Sequence, residues 1–266
     1  MTNVAAGAQP AMGGITRQSA VIIGIVATLV INSMATLLPI NGQTTAEISD
    51  RFPLLITPPG YIFSIWGLIY TGLIAYGVFQ ALPSRRDDSR LQRVAWLFVV
   101  SCVANCAWIL LWHYNQTALT VPVMVSLLLT LITIDRRIDH GTPLRIDEII
   151  CLRLPFSIYL GWISVATIVN LTVMLYDFGW SGFGVAPAIW TALLLAVSAV
   201  LSATMGLRKG DAAFALVVAW AASGIAAKNG AIPLVSSMAW VATVVSLLTA
   251  GVAIVLFFNR RRRMAR

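Results

Sequence analysis

The chain has 266 residues, of which 59% are hydrophobic and only 11% are charged, and its mean hydropathy is +0.85. A soluble domain carries about 25% charged residues, so this composition excludes a water-soluble globular protein and indicates an integral membrane protein. The net charge of +8 does not indicate nucleic-acid binding, because the basic residues lie in short segments between apolar runs.

Eight apolar segments approach or exceed the length needed to cross about 30 Å of hydrocarbon. Since lipid offers no hydrogen-bond partners to an open sheet edge, we expect an all-α polytopic helical bundle. An N-terminal tail (1–19) precedes the spans and a basic tail (259–266) follows them. The predicted spans are 20–39, 60–82, 94–113, 118–134, 149–176, 185–206, 212–227 and 234–258.

The basic residues alternate with the predicted spans. If the N-terminus is cytoplasmic, eight spans place all the large basic clusters on the cytoplasmic side, as the positive-inside rule requires. Arg51 and Lys228 then remain outside, and we interpret Lys228 as a lysine that snorkels to the interface. We therefore expect both termini in the cytoplasm and, by default, a bacterial inner membrane. The clusters lie within residues 85–93, 136–145, 208–209 and 260–266.

The longest outer loop, residues 41–57, leads into the second span, and loops of this length often cover sites. Thr57 is a favourable N-cap residue, and Pro58 and Pro59 then fall in the first helical turn, where a missing N–H costs nothing. The prolines would thus fix where the helix begins and how the loop enters it.

The second span carries an aromatic face. Phe63, Trp66 and Tyr70 follow at i, i+3 and i+7, which is one face of a helix. An interfacial aromatic belt would explain residues near the helix start. Tyr70, however, lies about 15 Å deeper than Gly60, so its hydroxyl needs a partner inside the bundle.

The third and fifth spans carry similar faces. Burying an unpaired amide in lipid costs several kcal/mol, so Asn105 and Asn170 should point into the bundle. Two interpretations stay open from spacing alone: the asparagines join helices by hydrogen bonds, or the three faces line a pocket. The residues in register are Asn105, Trp108 and Trp112 in the third span, and Pro155, Tyr159, Trp162, Ala166 and Asn170 in the fifth.

Three blocks of sequence resemble the TspO/MBR family, the tryptophan-rich sensory proteins related to the translocator protein. They are "TPPGYIFSIWGLIY" from Thr57, "NCAW" from Asn105 and "LPFSIYLGWISVATIVNLT" from Leu154. Ile56, Cys106 and Met174 occupy positions where the family usually has tryptophan. The resemblance extends over residues 20–180 and implies a five-helix membrane domain, which leaves a three-helix extension over 181–258.

The resemblance implies a binding or sensory protein with an intrabundle pocket for a planar hydrophobic ligand of tetrapyrrole or sterol type, whose transport it could assist or whose presence it could signal. Its expected partners are that ligand and membrane lipids, and a homodimer is compatible with it. The ligand-binding residues that it implies are Pro58, Pro59, Phe63, Trp66, Tyr70, Asn105, Trp108, Trp112, Tyr159, Trp162 and Asn170.

Two other function classes occur among polytopic membrane proteins. A secondary transporter of a small hydrophobic solute is the alternative, although no Asp or Glu lies deep in a predicted span, as ion coupling usually requires. An enzyme is not expected, because the sequence lacks HExxH and GxSxG motifs. The topology separates His113 from His140, so we expect no catalytic residue, metal or cofactor, and we interpret the three cysteines as packing residues.

Overall fold

The computed structural model describes residues 12–38, 40–139 and 143–264, with side chains described between residues 14 and 259 of these ranges. Most of the predicted N-terminal tail, His140 and the last two residues of the basic tail lie outside the described residues. Throughout the described ranges the regular structure is helical, which confirms the predicted all-α class.

The described part of the chain contains ten α-helices, joined by short helical turns and loops. Seven helical segments are long and apolar enough to cross a membrane, and α9, with 17 residues, is a shorter apolar helix. The helices are α1 (Met12–Leu37), α2 (Thr45–Asp50), α3 (Ile65–Ala81), α4 (Ser89–His113), α5 (Thr117–Asp139), α6 (Ile146–Glu148), α7 (Leu154–Asp177), α8 (Pro187–Lys209), α9 (Ala212–Lys228) and α10 (Pro233–Met264).

Five of the long helices form a closed ring. Each contacts two neighbours, in the order α1, α3, α7, α5, α4 and back to α1. The remaining three stand beside the ring: α9 packs against the outer side of α7, and both α8 and α10 pack against α9. The helix α9 therefore makes the main contact between the C-terminal helices and the ring.

Contacts at the two ends of the bundle confirm that successive helices alternate in direction. At one end, which we call the basic end, Arg17 of α1 donates to the carbonyl of Arg85, just after α3. At the other, which we call the loop end, Asn41 donates to the carbonyl of His113 at the end of α4. The helix α9 runs from the basic end to the loop end and completes this alternation despite its length.

The start of α7 departs from α-helical geometry. Residues Ile149–Arg153 form a π-helical turn directly before α7. Pro155 has no N–H, so the carbonyl four residues before it loses its usual donor, and bonding from i to i+5 accommodates this loss. Gly72 of α3 allows close approach here, since a Cβ at that position would lie 3.0 Å from the Cβ of Pro155.

Candidate ligand site

Asn105 joins three helices at the centre of the ring. Its side chain is 1% exposed, and its Nδ2 donates to the hydroxyl of Tyr159 on α7 over 3.0 Å. Its Oδ1 accepts from Nδ2 of Asn32 on α1 over 2.8 Å. The prediction that Asn105 faces the interior is confirmed. Asn32 was missed, although an asparagine in the middle of the first span carried the same signal.

Next to it lies a group that we call the α4 cluster: Trp108, Trp112 and Asn170. The indole N–H of Trp108 donates to Oδ1 of Asn170 over 3.1 Å, and Trp108 stacks on Trp112 with ring centroids 5.6 Å apart. The Trp112 N–H donates to the carbonyl of Thr45 over 3.3 Å. All three side chains are buried. Both indole N–H groups of this cluster therefore have a hydrogen-bond partner inside the bundle.

The predicted aromatic face of the second span, Phe63, Trp66 and Tyr70, which we call the α3 face, differs from the α4 cluster. These three side chains are half-buried. Trp66 stacks on Tyr70 at 5.5 Å, and the ring of Trp162 meets Phe63 and Trp66 edge to face at 5.8 and 6.2 Å. Tyr159 also contacts Trp66, at 6.0 Å. The face therefore leans against the buried rings of α7.

Three polar atoms at this face have no partner within the described part of the chain. The indole N–H groups of Trp66 and Trp162 and the hydroxyl of Tyr70 make no hydrogen bond there. They are also not among the fully buried polar atoms without a partner, so each of these three atoms keeps some accessible surface. A tyrosine or tryptophan at membrane depth usually has a partner for this group.

Three further aromatic rings close the ring interior on the side of the basic end. Tyr76, Phe98 and Phe156 are fully buried and meet edge to face with centroids 5.0 to 5.7 Å apart. They come from α3, α4 and α7. This plug, which the sequence analysis did not identify, separates the α3 face from the basic end.

The proline pair takes a different position from the predicted one. The 3₁₀ turn Gly60–Ser64 precedes α3, and Pro59 occupies its N-cap position without a side-chain hydrogen bond. The prediction that Thr57 caps the helix is wrong, because its hydroxyl donates to the carbonyl of Leu54 instead. Pro58 is buried and Pro59 half-buried, and Pro59 lies against Gly224 of α9. The prolines therefore stand at the junction with α9.

The first loop, residues 40–59, covers the loop end of the ring. It contains α2, where Thr44 and Glu47 form a capping box, and the backbone N–H of Thr44 holds the pKa of Glu47 below its usual value. The loop is anchored from below, because Phe52 contacts the rings of Trp112 and Tyr176, each at 6.2 Å. Its buried residues are Ile48, Ser49, Ile56, Thr57 and Pro58.

The helix α9 holds the end of this loop. Nζ of Lys228 donates to the carbonyl and the hydroxyl of Thr57. Lys228 is exposed at the end of α9, so its interpretation as a lysine that snorkels to the interface stays a prediction, to which the structure adds a specific contact with the first loop. Asn229 donates to the carbonyl of Leu55. Neither contact could be predicted from the sequence, since Lys228 and Thr57 are 171 residues apart, and Asn229 and Leu55 are 174 residues apart.

At the basic end, charged residues join the ring to the C-terminal helices. Arg153 lies 3.6 Å from Asp135 of α5 and 3.4 Å from Asp211 before α9. Lys209 pairs with Asp135, and Ser157 donates to Asp211. Asp135 and Asp211 lie at helix ends, as predicted, but they are only 3% and 4% exposed.

An apolar crevice lies beside the ring between α7, α8 and α9, below Ile56 of the first loop. Its volume is about 10 Å³, which is about what a single water molecule needs and far too little for a planar ligand. The crevice therefore does not serve as the predicted pocket. Its walls include Val165, Leu195, Ser198 and Val218.

The long helices have apolar outer surfaces, and five of them form a ring around aromatic and amide side chains. These features define a polytopic membrane protein. The model of a family described as TSPO-like protein matches residues 18–252. The chain belongs to this TSPO-like family, which confirms the resemblance to the TspO/MBR proteins. The match continues from α1 into α10 and so includes the C-terminal helices. No curated protein and no solved structure matches the chain.

Proposed function

We propose that the protein binds a planar hydrophobic ligand, of tetrapyrrole or sterol type, against the α3 face and acts as a membrane receptor that senses this ligand or assists its transport. The observation that carries the proposal is the set of accessible, unpaired polar atoms on Trp66, Tyr70 and Trp162. They lie among aromatic rings at a depth where lipid cannot satisfy them.

The chemistry of the face suits a flat amphipathic molecule. Aromatic rings stack on planar ligands, and a few fixed polar groups in an apolar site orient them. The plug of Tyr76, Phe98 and Phe156 supplies a floor, and the first loop supplies a roof. Because Trp66 and Tyr70 already stack on each other, the ligand would enter by displacing one of these half-buried rings.

A titration with protoporphyrin tests the proposal. Binding should quench tryptophan fluorescence, and Tyr70→Phe should weaken the affinity about five-fold, the factor expected for one lost hydrogen bond. Tyr114→Phe is the control, since Tyr114 is exposed at the end of α4, and it should leave the Kd unchanged. Equal Kd values for wild type and Tyr70→Phe, or no quenching by protoporphyrin or by a sterol competitor, would contradict the proposal.

A secondary transporter of a small hydrophobic solute is a second candidate, and one observation favours it. Buried ionisable residues in membrane proteins often couple transport to ions, and Asp135, Arg153 and Asp211 form such a group where four helices meet. Uptake of the solute into proteoliposomes should then depend on a proton gradient and be lost in Asp135→Asn. Uptake that is independent of the gradient would rule out this candidate.

We also propose that the basic end faces the cytoplasm of a bacterial cell. Arg17, Arg153 and Lys209 lie at that end, and in the part of the chain that the structure describes the basic side chains near the loop end are Arg51 and Lys228. This asymmetry supports the orientation. A cysteine introduced at exposed Asp50 should react with an impermeant thiol reagent added to intact cells in which the outer membrane has been permeabilised. Reaction only after cell lysis would reverse the orientation.

A further inference from the structure

Three side chains of α9 bind the backbone of the segment that leads from the first loop into α3. Asn229 donates to the carbonyl of Leu55 over 2.9 Å, and Lys228 donates to that of Thr57 over 3.1 Å. About two helical turns before Lys228, the indole N–H of Trp220 donates to the carbonyl of Ile62 over 3.1 Å. The carbonyls of Leu55 and Thr57 lie outside regular helix, so these contacts satisfy acceptors that regular structure would otherwise satisfy. The carbonyl of Ile62 belongs to the 3₁₀ turn and accepts the backbone N–H of Ile65 as well.

The same segment fits sterically onto α9. Ile62 is fully buried, and its side chain occupies the space that a Cβ at Gly224 would need. Such a Cβ would also lie 3.3 Å from Cδ of Pro59. Any larger residue at position 224 would therefore push the segment away from α9. The fit explains why a glycine stands in the middle of a buried, otherwise favourable helix.

The position of this segment determines the position of the α3 face. Ile62 precedes Phe63 directly, and Thr57 follows the buried Ile56 of the first loop. A shift of the segment would move Phe63 away from Trp162 and would lift the loop from the end of the ring. The hydrogen bonds of α9 thus act at the hinge between the roof and one wall of the site.

We propose that α9 is a clamp that holds the first loop closed, with Trp220, Lys228 and Asn229 as positioning residues that control how fast ligand enters and leaves. This inference rests on the proposed function for its ligand, but the clamp itself is a property of the free protein. Coupling between sites is reciprocal, so a ligand that requires the closed loop also strengthens the docking of α9. The C-terminal helices would then detect whether the α3 face is occupied.

Accessibility of the loop tests the clamp without any ligand. Ser49 is a residue of the first loop whose side chain is 1% exposed, and its neighbour Asp50 is exposed. In a background where Cys102, Cys106 and Cys151 are alanine, the purified protein carries either Ser49→Cys or Asp50→Cys and reacts with a maleimide. The ratio of the two labelling rates reports how often the loop opens and cancels differences in reagent and pH.

The double variant Lys228→Met/Asn229→Ala should raise this ratio at least about five-fold, as expected for the loss of one or more hydrogen bonds. Ser223→Ala is the matched control, because its hydroxyl bonds only within α9, and it should leave the ratio unchanged. Gly224→Val should raise the ratio through a different contact. An unchanged ratio in both the double variant and Gly224→Val would overturn the clamp.

A second measurement connects the clamp to the ligand. Protoporphyrin should dissociate at least about five-fold faster from Lys228→Met/Asn229→Ala than from wild type or Ser223→Ala. A higher labelling ratio with an unchanged dissociation rate would refute the role of α9 in positioning the site. Failure of wild type to bind protoporphyrin would count against the proposed function, while the labelling ratio would still decide whether the clamp exists.

Discussion

The two aromatic faces of the five-helix ring differ in whether their polar atoms have partners. In the α4 cluster the indoles of Trp108 and Trp112 donate to an amide and a carbonyl, and the side chains are buried. On the α3 face Trp66 and Tyr70 are half-buried and make no hydrogen bond with described residues. The first arrangement joins helices, and the second leaves polar groups without a partner in the described part of the chain.

This difference bears on the two interpretations that spacing left open. Asn105 and Asn170 behave as helix-joining residues, because each of them bonds a side chain of another helix. The pocket interpretation rests on the α3 face, where Trp162 of α7 adds a second accessible indole N–H to that of Trp66.

The largest effect on stability should come from Asn105. Asn105→Leu removes hydrogen bonds to two other helices and leaves the buried Tyr159 hydroxyl without a partner, which should lower the free energy of unfolding by about 2 kcal/mol or more. Unfolding in mixtures of mild detergent and dodecyl sulfate measures it. Cys106→Ala, on the next residue of α4, should change it much less. A fully stable Asn105→Leu would show that the central network does not join the ring.

A direct test of the comparison replaces one tryptophan by phenylalanine in the α4 cluster and one on the α3 face. Trp108→Phe leaves the buried Oδ1 of Asn170 unpaired, whereas Trp66→Phe leaves no protein group unpaired. We therefore expect Trp108→Phe to lower the free energy of unfolding by about 1–2 kcal/mol more than Trp66→Phe does. Equal losses in the two variants would mean that the faces do not differ as described.

A smaller effect of opposite sign is expected in the plug. The hydroxyl of Tyr76 is buried without a hydrogen-bond partner, and its ring contacts to Phe98 and Phe156 do not involve the hydroxyl. Tyr76→Phe should therefore raise the free energy of unfolding by about 0.5–1 kcal/mol. A decrease would indicate that a bound water or polar group satisfies this hydroxyl in the membrane.

Much of the fold could be predicted from hydropathy and charge. Apolar runs identified the long helices, and the alternation of basic clusters required α9, whose length alone would not have identified it. The order of helices around the ring could not be predicted, because apolar faces of different helices are chemically alike and sequence spacing does not specify neighbours. The family resemblance supplied the five-helix core.

The site was predictable where a single helix carried the signal. The cost of an amide in lipid correctly predicted that Asn105 and Asn170 are buried, and the same rule applied to Asn32 would have found the third member of the network. The clamp was not predictable, because Lys228 meets Thr57 only through the tertiary arrangement. Thr57 satisfied the local rule for an N-cap, but its contact with Lys228 and the turn at Leu54 place it outside the helix.

The affinity of protoporphyrin for Trp66→Leu tests the central claim most directly, followed by the porphyrin absorbance so that the loss of a tryptophan does not affect the readout. Loss of a stacking ring and an indole N–H should weaken binding about ten-fold or more. Trp240→Leu, which removes an exposed tryptophan of α10, should leave the Kd within about two-fold of wild type. Equal Kd values for the two variants would contradict ligand binding at the α3 face.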